Sequence, residues 1–528
     1  MRFDCRSSLL AAMGLALVGC SSEPTARRDG DITKVPSPAP IAPTTKGSLV
    51  VEERDGYDVR PLARGLDLPA GICFDDAGDL CVLEAGGFLG NNPGRTPPRI
   101  KVFSPEGEAR RTIDLTGTRV VWPATGICWA DGGFYITHRD ENHFGCISRV
   151  EKDGKVTPIV TGLPSRGDHG TNQICVGPDG KLYFSQGTAT NSGIVGLDDF
   201  VAFGWPQLHP DVHDIPAKTI VLTGKNFETA DPRGAMPSRK TITGAFMPFG
   251  KSAERGTGVR GEVKCNGAVL RCDKDGKKLE VYCWGLRNPF GLGFAPAGRL
   301  YTTCQGMDLR GSRPIADDKD ALLSLTKDTW YGWPDYTTDL RPLLDNEDHD
   351  PPSELGKRAE PLIDLKMSGA EMGAPSPDDV AARFDVRSSS CGFAWAPPGF
   401  GKIGGRLVVA QFGTLGPAAD PTAATWPGCR VVTVDDEGEV EDFLKNDDSG
   451  PASHALAIGR GFERPIDVKF GPDGALYVVD YGVVSVKVDE GAGMSILARE
   501  GTGFIWKVTT GGGEKRRDVE KTRTSRKR

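Results

Sequence analysis

The sequence predicts an all-β chain folded as a six-bladed β-propeller with loop insertions. Three observations lead there. A hairpin recurs six times: "ICFDDAGDLCVLEAG" from Ile72, "ICWADGGFYITHRD" from Ile127, "ICVGPDGKLYFSQG" from Ile174, "LGFAPAGRLYTTCQG" from Leu292, "CGFAWAPPGFGKIGGRLVVAQFG" from Cys391 and "VKFGPDGALYVVDYG" from Val468. Weaker strand pairs lie between the copies, among them "RIKVFSPEGEARRTIDL", "CISRVEKDGKVTPIV", "VLRCDKDGKKLEVYCWG" and "RVVTVDDEGEVEDFL". The unit is therefore four strands, and six such units stack as blades because no blade buries both faces alone. Finally, 69 Gly and 39 Pro in 528 residues suit many short strands joined by turns rather than long helices.

The first 19 residues read as a signal peptide: Arg2 and Arg6 flank the apolar run "SLLAAMGLALVG", too short to span a bilayer as a mature helix. "LVGC" is similar to a bacterial lipobox, which makes Cys20 the lipidated residue and residues 20–47 a Pro/Ser/Thr-rich tether. Ser21 after the Cys is similar to outer-membrane sorting, so the expected location is the cell envelope, facing the periplasm. Membrane attachment would come from the N-terminal lipid only, because no later segment is apolar enough to cross. Residues 48–510 form the propeller and 511–528 a basic tail, with eight Lys/Arg against three Asp/Glu. The body is then more acidic than the net −7 of the whole chain, which argues against nucleic acid as a partner.

Most of the 13 cysteines sit inside strand-like runs, where Cys packs as a small hydrophobe; Cys265 and Cys272 are the pair open to a bridge. The gap from Ile174 to Leu292 is about twice a normal blade and includes residues 195–260; that from Leu292 to Cys391 is also long. Insertions of this size on a rigid scaffold either shape a site or decorate a surface.

A hairpin begins and ends at one edge of its sheet. The residues leading into the six copies therefore share one face and ring the mouth of the central channel. They include Asp168-His169-Gly170-Thr171-Asn172, Arg287-Asn288 and Glu463-Arg464, and the exits add Glu84, Gln186, Gln305-Gly306, Gln411 and Asp480. A neutral His169 is suited to taking a proton at neutral pH. Arg287 offers a planar fork of donors to a carboxylate or a developing oxyanion. Asn172 and Asn288 donate or accept, and carbonyls near Gly306 suit a hard cation. His138 and His143 in "THRDENH" lack a diagnostic metal spacing and read as a solvated loop.

"LPSRGDHGTNQICVGPDGKLYFSQG", "YCWGLRNPFGLGFAPAGRLY", "YGWPDY" and "ERPIDVKFGPDGALYVVDYG" resemble the glucose/sorbosone dehydrogenases, from about Val59 to about Val508. The resemblance implies pyrroloquinoline quinone (PQQ) and Ca²⁺ as cofactors, a sugar or related alcohol as substrate, and an external electron acceptor. It makes His169 the general base, Asp168 the acid beside it and Arg287 the active-site arginine. Asn288, Arg464, Asn172 and Gln305 become cofactor contacts, and the carbonyls of Gly306 and Met307 hold Ca²⁺. The chain departs from the family at Ala124, at "AQFGT" and at Glu463 beside Arg464, which removes a glutamine and basic residues expected around the cofactor. Two alternatives stay open. One is a non-catalytic propeller that binds carbohydrate or protein. The other is a metal-dependent lactonase using Glu84, Asn172 and Asp480.

Overall fold

The structure, a computed structural model, describes residues 56–511 except 89–91, 235–238, 345, 370–371, 417–424, 456–457 and 490–492. The signal peptide, Cys20, the tether and the tail beyond Gly511 lie outside the described residues.

Six four-stranded antiparallel sheets form the blades. Blade 1 runs from Pro69–Phe74 to Ala109–Asp114, blade 2 from Ile127–Ala130 to Val156–Leu163, and blade 3 from Thr171–Val176 to Glu280–Trp284. Blade 4 runs from Asn288–Phe294 to Val380–Val386 and blade 5 from Ser390–Trp395 to Val440–Leu444. Blade 6 begins at Pro465–Phe470, and its outermost strand is Tyr57–Leu66, from the start of the propeller, paired antiparallel with Gly503–Thr510. The two ends of the propeller are thus zipped into one sheet, a closure the hairpin pattern did not reveal. The first strands of the six blades contact one another in a closed cycle around the channel.

Local chemistry explains the recurring turn. In "VGPDGKLY" the Asp179 carboxylate accepts the Tyr183 hydroxyl at 3.0 Å and the Lys181 N–H at 3.2 Å. Asp473 does the same for Tyr477 and Ala475 in "FGPDGALY". The Asp fixes the turn while the Tyr carries the strand onward, and Gly180 and Gly474 adopt the positive φ, 75° in each, that the turn requires. Apolar layers fill the spaces between blades. Leu83 and Ile100 of blade 1 meet Phe134 and Ile136 of blade 2, and Val269 and Cys283 of blade 3 meet Leu292 and Leu300 of blade 4. Near the channel the approach is too tight for side chains. A Cβ on Gly71 would stand 2.9 Å from the Thr125 carbonyl, and one on Gly126 2.6 Å from that of Asn172.

In five blades the first strand pair breaks register at its mouth end: Pro69/Gly71, Thr171/Ile174, Pro289/Leu292, Ser390/Phe393 and Pro465/Asp467. Such bulges bend the strand and re-aim the residue beside them. They turn the lead-ins toward the channel mouth.

Both long gaps are insertions within blades. Residues 187–267 separate the second and third strands of blade 3, and residues 326–379 the third and fourth strands of blade 4. They pack on each other: Leu222 bridges Ile363, and the Thr223 N–H donates to the Leu362 carbonyl at 3.0 Å. Asp335 braces the blade 4 side of this contact by accepting the N–H groups of Leu362 and Ile363 and the Arg313 guanidinium.

Candidate active site

A single cavity opens at the mouth and takes residues from every blade: Ala70, Thr125, His169, Arg287, Ser389 and Ile466 from the lead-ins alone. The exits add His138, Arg139, Gln305, Gly306, Phe412 and Tyr481. Its walls differ in character. Blades 2 to 4 supply most of the charged and amide groups. Blades 5, 6 and 1 supply Phe412, Leu415, Ile466, Tyr481, Ala70 and Phe88.

His169 sits at the start of blade 3, where it is 9% exposed. Its Nδ1 lies 3.0 Å from the Thr188 carbonyl oxygen, which only accepts, so Nδ1 carries the proton. Nε2 is left as the basic atom, with no partner among the described residues. Burial, then the charges of Arg287 and Arg310, hold the imidazole pKa well below its usual value. His169 therefore stays neutral and ready to accept a proton.

Arg287, 4% exposed, donates from Nη2 to Asp308 at 2.8 Å and to Asn191 Oδ1 at 3.0 Å. Asn172, Asn288 and Gln305 form a chain across blades 3 and 4. Asn172 Nδ2 donates to Asn288 Oδ1 at 2.9 Å, and Asn288 Nδ2 to Gln305 Oε1 at 2.7 Å. The Gln305 amide reaches the Cys391 sulfur at 3.6 Å. Burial pushes the Cys391 thiol well above its normal pKa, which makes it filler rather than a nucleophile.

Asp168 does not touch the imidazole. Its carboxylate accepts Trp205 Nε1 at 2.8 Å and Arg310 Nη2 at 2.5 Å. Arg310 also meets Asp198 and Asp308, while its guanidinium lies 4.8 Å from the Phe203 ring. Asp198, Phe203 and Trp205 all belong to the blade 3 insertion, so that insertion shapes the site rather than decorating a surface. Gly306 lines the cavity and its N–H donates to Asp320; the adjacent Met307 N–H donates to Asp318. The carbonyl oxygens of both residues receive no hydrogen bond among the described residues. Burial raises Asp318 to about 7 and Asp320 to about 6.

Seven expected residues meet at the cavity: Asp168, His169, Asn172, Arg287, Asn288, Gln305 and Gly306. Met307 is buried just behind it. Arg464 is not brought there. Its long side chain folds into the wall, donating to the carbonyls of Phe412 at 3.1 Å and Thr414 at 2.7 Å. Glu84 and Asp480 are also absent from the lining. Glu84 is ion-paired with Arg99 and Lys101, and Asp480 accepts the N–H groups of Glu463 and Arg464. The lactonase set is therefore not assembled, and no cluster of three His, Cys, Asp or Glu suited to a metal occurs among the described residues. His138 is not on a solvated loop: it is 2% exposed in a strand, and its Nε2 lies 2.7 Å from Ser148 Oγ. Cys265 and Cys272 are separate buried thiols, unbridged.

Sequence reasoning missed Thr188, Asn191, Asp308, Arg310 and Trp205. A signal existed for two of them: Asp308 and Arg310 follow directly in "QGMDLRGSR", beyond the exit of blade 4.

No family model matches the chain. Quinoprotein glucose dehydrogenase B from Acinetobacter calcoaceticus is 27% identical over 180 residues, 34% of this chain and 29% of that protein. The chain thus matches under a third of that relative's length. The calcium structure of a Trichoderma reesei carbohydrate-active enzyme of family AA12 superposes with a TM-score of 0.50 at 14% identity, covering 87% of this chain and 97% of that one. The PQQ-bound aldose sugar dehydrogenase of Streptomyces coelicolor gives 0.46 at 17% identity, covering 87% and 99%. The chain is a six-bladed β-propeller homologous, over about a third of its length, to a quinoprotein glucose dehydrogenase.

Proposed function

We propose that the chain is a PQQ- and Ca²⁺-dependent dehydrogenase of a sugar or related alcohol, tethered to the outer membrane through Cys20 and passing electrons to an external acceptor. One observation carries this reading. An imidazole with a fixed tautomer and an unpartnered Nε2 stands beside Arg287 in a cavity closed on its other side by apolar and aromatic walls.

The residues present fit the two cofactors. The unpaired carbonyls of Gly306 and Met307 are oxygen donors of the kind Ca²⁺ prefers. The amides of Asn172, Asn288 and Gln305 would supply polar contacts to the quinone, and Phe88, Phe412 and Tyr481 would give it apolar surface. When bound, the quinone supplies the two-electron acceptor that no side chain provides.

The chain's own residues handle the proton and the charge. His169 Nε2 takes the hydroxyl proton of the substrate as the C–H bond at the same carbon gives up its electron pair. Thr188 holds the ring in the tautomer that keeps Nε2 basic. Arg287, anchored by Asp308 and Asn191, presents positive charge to the oxygen that becomes negative. The apolar walls exclude water and strengthen both interactions.

Titration with PQQ and Ca²⁺, followed by dye reduction with a panel of aldoses, tests this. Stoichiometric binding and aldose-dependent reduction are expected, with a loss of about 10²–10⁴-fold in His169→Ala. Failure of PQQ to bind above micromolar concentration would refute it. The walls Phe412, Leu415 and Tyr481 favour a second reading, a carbohydrate-binding propeller whose aromatic faces stack on a sugar. Aldose binding without PQQ, unchanged in His169→Ala, would select that reading.

A further inference from the structure

Arg139 ends the second strand of blade 2, Gly133–Arg139, and lines the mouth. Its side chain is nearly as buried as any in the cavity, with the residue 4% exposed. Its Nε is fully enclosed without a hydrogen-bond partner, and its guanidinium forms no hydrogen bond or ion pair among the described residues. Arg287 and Arg310 are different. The first is paired with Asp308, and the second with Asp168, Asp198 and Asp308.

The surroundings do not neutralise this charge. Burial alone pulls the Arg139 pKa down to about 10, with no carboxylate opposing it. Burial first, and then the charges of Arg139 and Arg166, depress His143 and His209, which lie 3.1 Å apart, Nδ1 to Nε2. Asp140, next in the chain, spends its Oδ1 on the N–H groups of Asn142 and Phe144. A Cβ on Gly170 would lie 3.9 Å from Arg139 Nη2, so the guanidinium stands beside the residue that follows His169. A buried cation without a partner is strongly unfavourable unless something else supplies the anion.

We propose that Arg139 is a carboxylate-binding subsite of the mouth and receives one carboxylate of the bound ligand through a charge-assisted, two-pronged hydrogen bond. Two carriers share this chemistry. One is a carboxylate of the quinone cofactor, which would restore positive charge lost elsewhere in the ring; this arm rests on the function proposed above. The other is the acid group of an acidic sugar, which would make the substrate a uronic acid rather than a neutral aldose; this arm requires only the cavity.

Calorimetry on the full chain separates them, with PQQ plus Ca²⁺ as one probe and galacturonate against galactose as the other. The proteins are wild type, Arg139→Met and Arg139→Lys. A fall of about 10- to 100-fold in PQQ affinity in Arg139→Met, partly rescued in Arg139→Lys, supports the subsite with the cofactor as carrier. Loss of a galacturonate-over-galactose preference of similar size supports it with an acidic substrate. If PQQ fails to bind wild type while galacturonate binds through Arg139, the proposed cofactor falls and the subsite stands. If PQQ binds all three proteins equally and galacturonate shows no preference, the subsite falls and the dehydrogenase stands. Binding of neither probe to wild type at millimolar concentration overturns the subsite as well. The ligand-free Arg139→Met protein should melt no lower than wild type, since it loses an uncompensated charge. A drop of several degrees with probe binding intact would show a structural residue instead.

Discussion

Arg310 is the cation on which the buried charges of the site depend, and Arg310→Met tests that directly. Its guanidinium faces Asp168, Asp198 and Asp308, with Asp199 3.8 Å away. The Arg310 side chain is 4% exposed and those of Asp168 and Asp199 1% each, so water cannot replace the lost cation. Removing one member of such a pair costs about 3–5 kcal/mol, because the partner is left buried and charged. For the roughly 430 described residues the unfolding entropy is about 1 kcal/mol per kelvin, so the melting midpoint should fall about 3–5 °C at neutral pH. The loss should depend on pH in a set direction. Burial raises the pKa of Asp198 and, further, of Asp199. Without Arg310 these groups hold protons more tightly still. At low pH they are neutral in both proteins, and the variant's deficit shrinks; as pH rises the variant must either ionise them unpaired or hold protons against the solution, and the deficit grows. Differential scanning calorimetry across pH 5 to 9 reads both effects. A midpoint equal to wild type, or a deficit that does not change with pH, would refute the reasoning.

A Cβ on Gly187 would overlap the Cβ of His169 and stand 2.6 Å from Asn288 Oδ1. Gly187→Ala should therefore cost about 1–3 kcal/mol of stability and, by displacing the base, about 10²-fold in kcat; a variant with normal melting and turnover would show that His169 is loosely held. The acid limb of kcat/KM should have its midpoint below pH 6.5, because burial and the two arginines depress His169, and Arg287→Gln should move that limb upward. The same depression has a sign in stability. The unfolded chain protonates this His near its ordinary pKa while the folded one resists, so stability should fall as pH drops below about 6.5, and His169→Asn should remove that part of the slope in acid melting curves. Alkylation under denaturing conditions without reductant should label both Cys265 and Cys272, and a mass that shows them protected would contradict the free thiols.

The blades were legible where strand, turn and strand are contiguous. "PDG" with a following Tyr writes its own hydrogen bonds, and short apolar runs, buried without a break in the second strands, mark the hairpins. The outer pair of blade 4, Lys319–Leu325 with Val380–Val386, was not legible because residues 326–379 interrupt it. Nor was the closing strand Tyr57–Leu66, whose partner lies more than 400 residues away. The site divides in the same way. His169, Arg287, Asn288 and Gln305 sit at strand ends, where the hairpin geometry fixes their position. Thr188, Asn191 and Arg310 lie on turns just past those ends, where no periodicity operates. Arg464 shows the opposite failure: its position on the ring was right, but the wall carbonyls of Phe412 and Thr414 hold its long side chain.

The blade 3 insertion links these observations. A bare ring of six blades would place His169, Arg287 and Arg310 close together with few counter-charges. Two arginines lower the basicity of the imidazole, and unopposed they would lower it further and repel each other. Asp308 comes from the ring, but Asp198 and Asp199 come from the insertion, as does Trp205, which fixes Asp168 where it can meet Arg310. Phe203 covers the Arg310 guanidinium from the same segment. The scaffold therefore sets where the chemical groups stand, and the insertion sets how much of their charge is balanced by protein. Arg139, which receives no carboxylate from that segment, is the lining arginine whose charge the protein leaves for a ligand to balance.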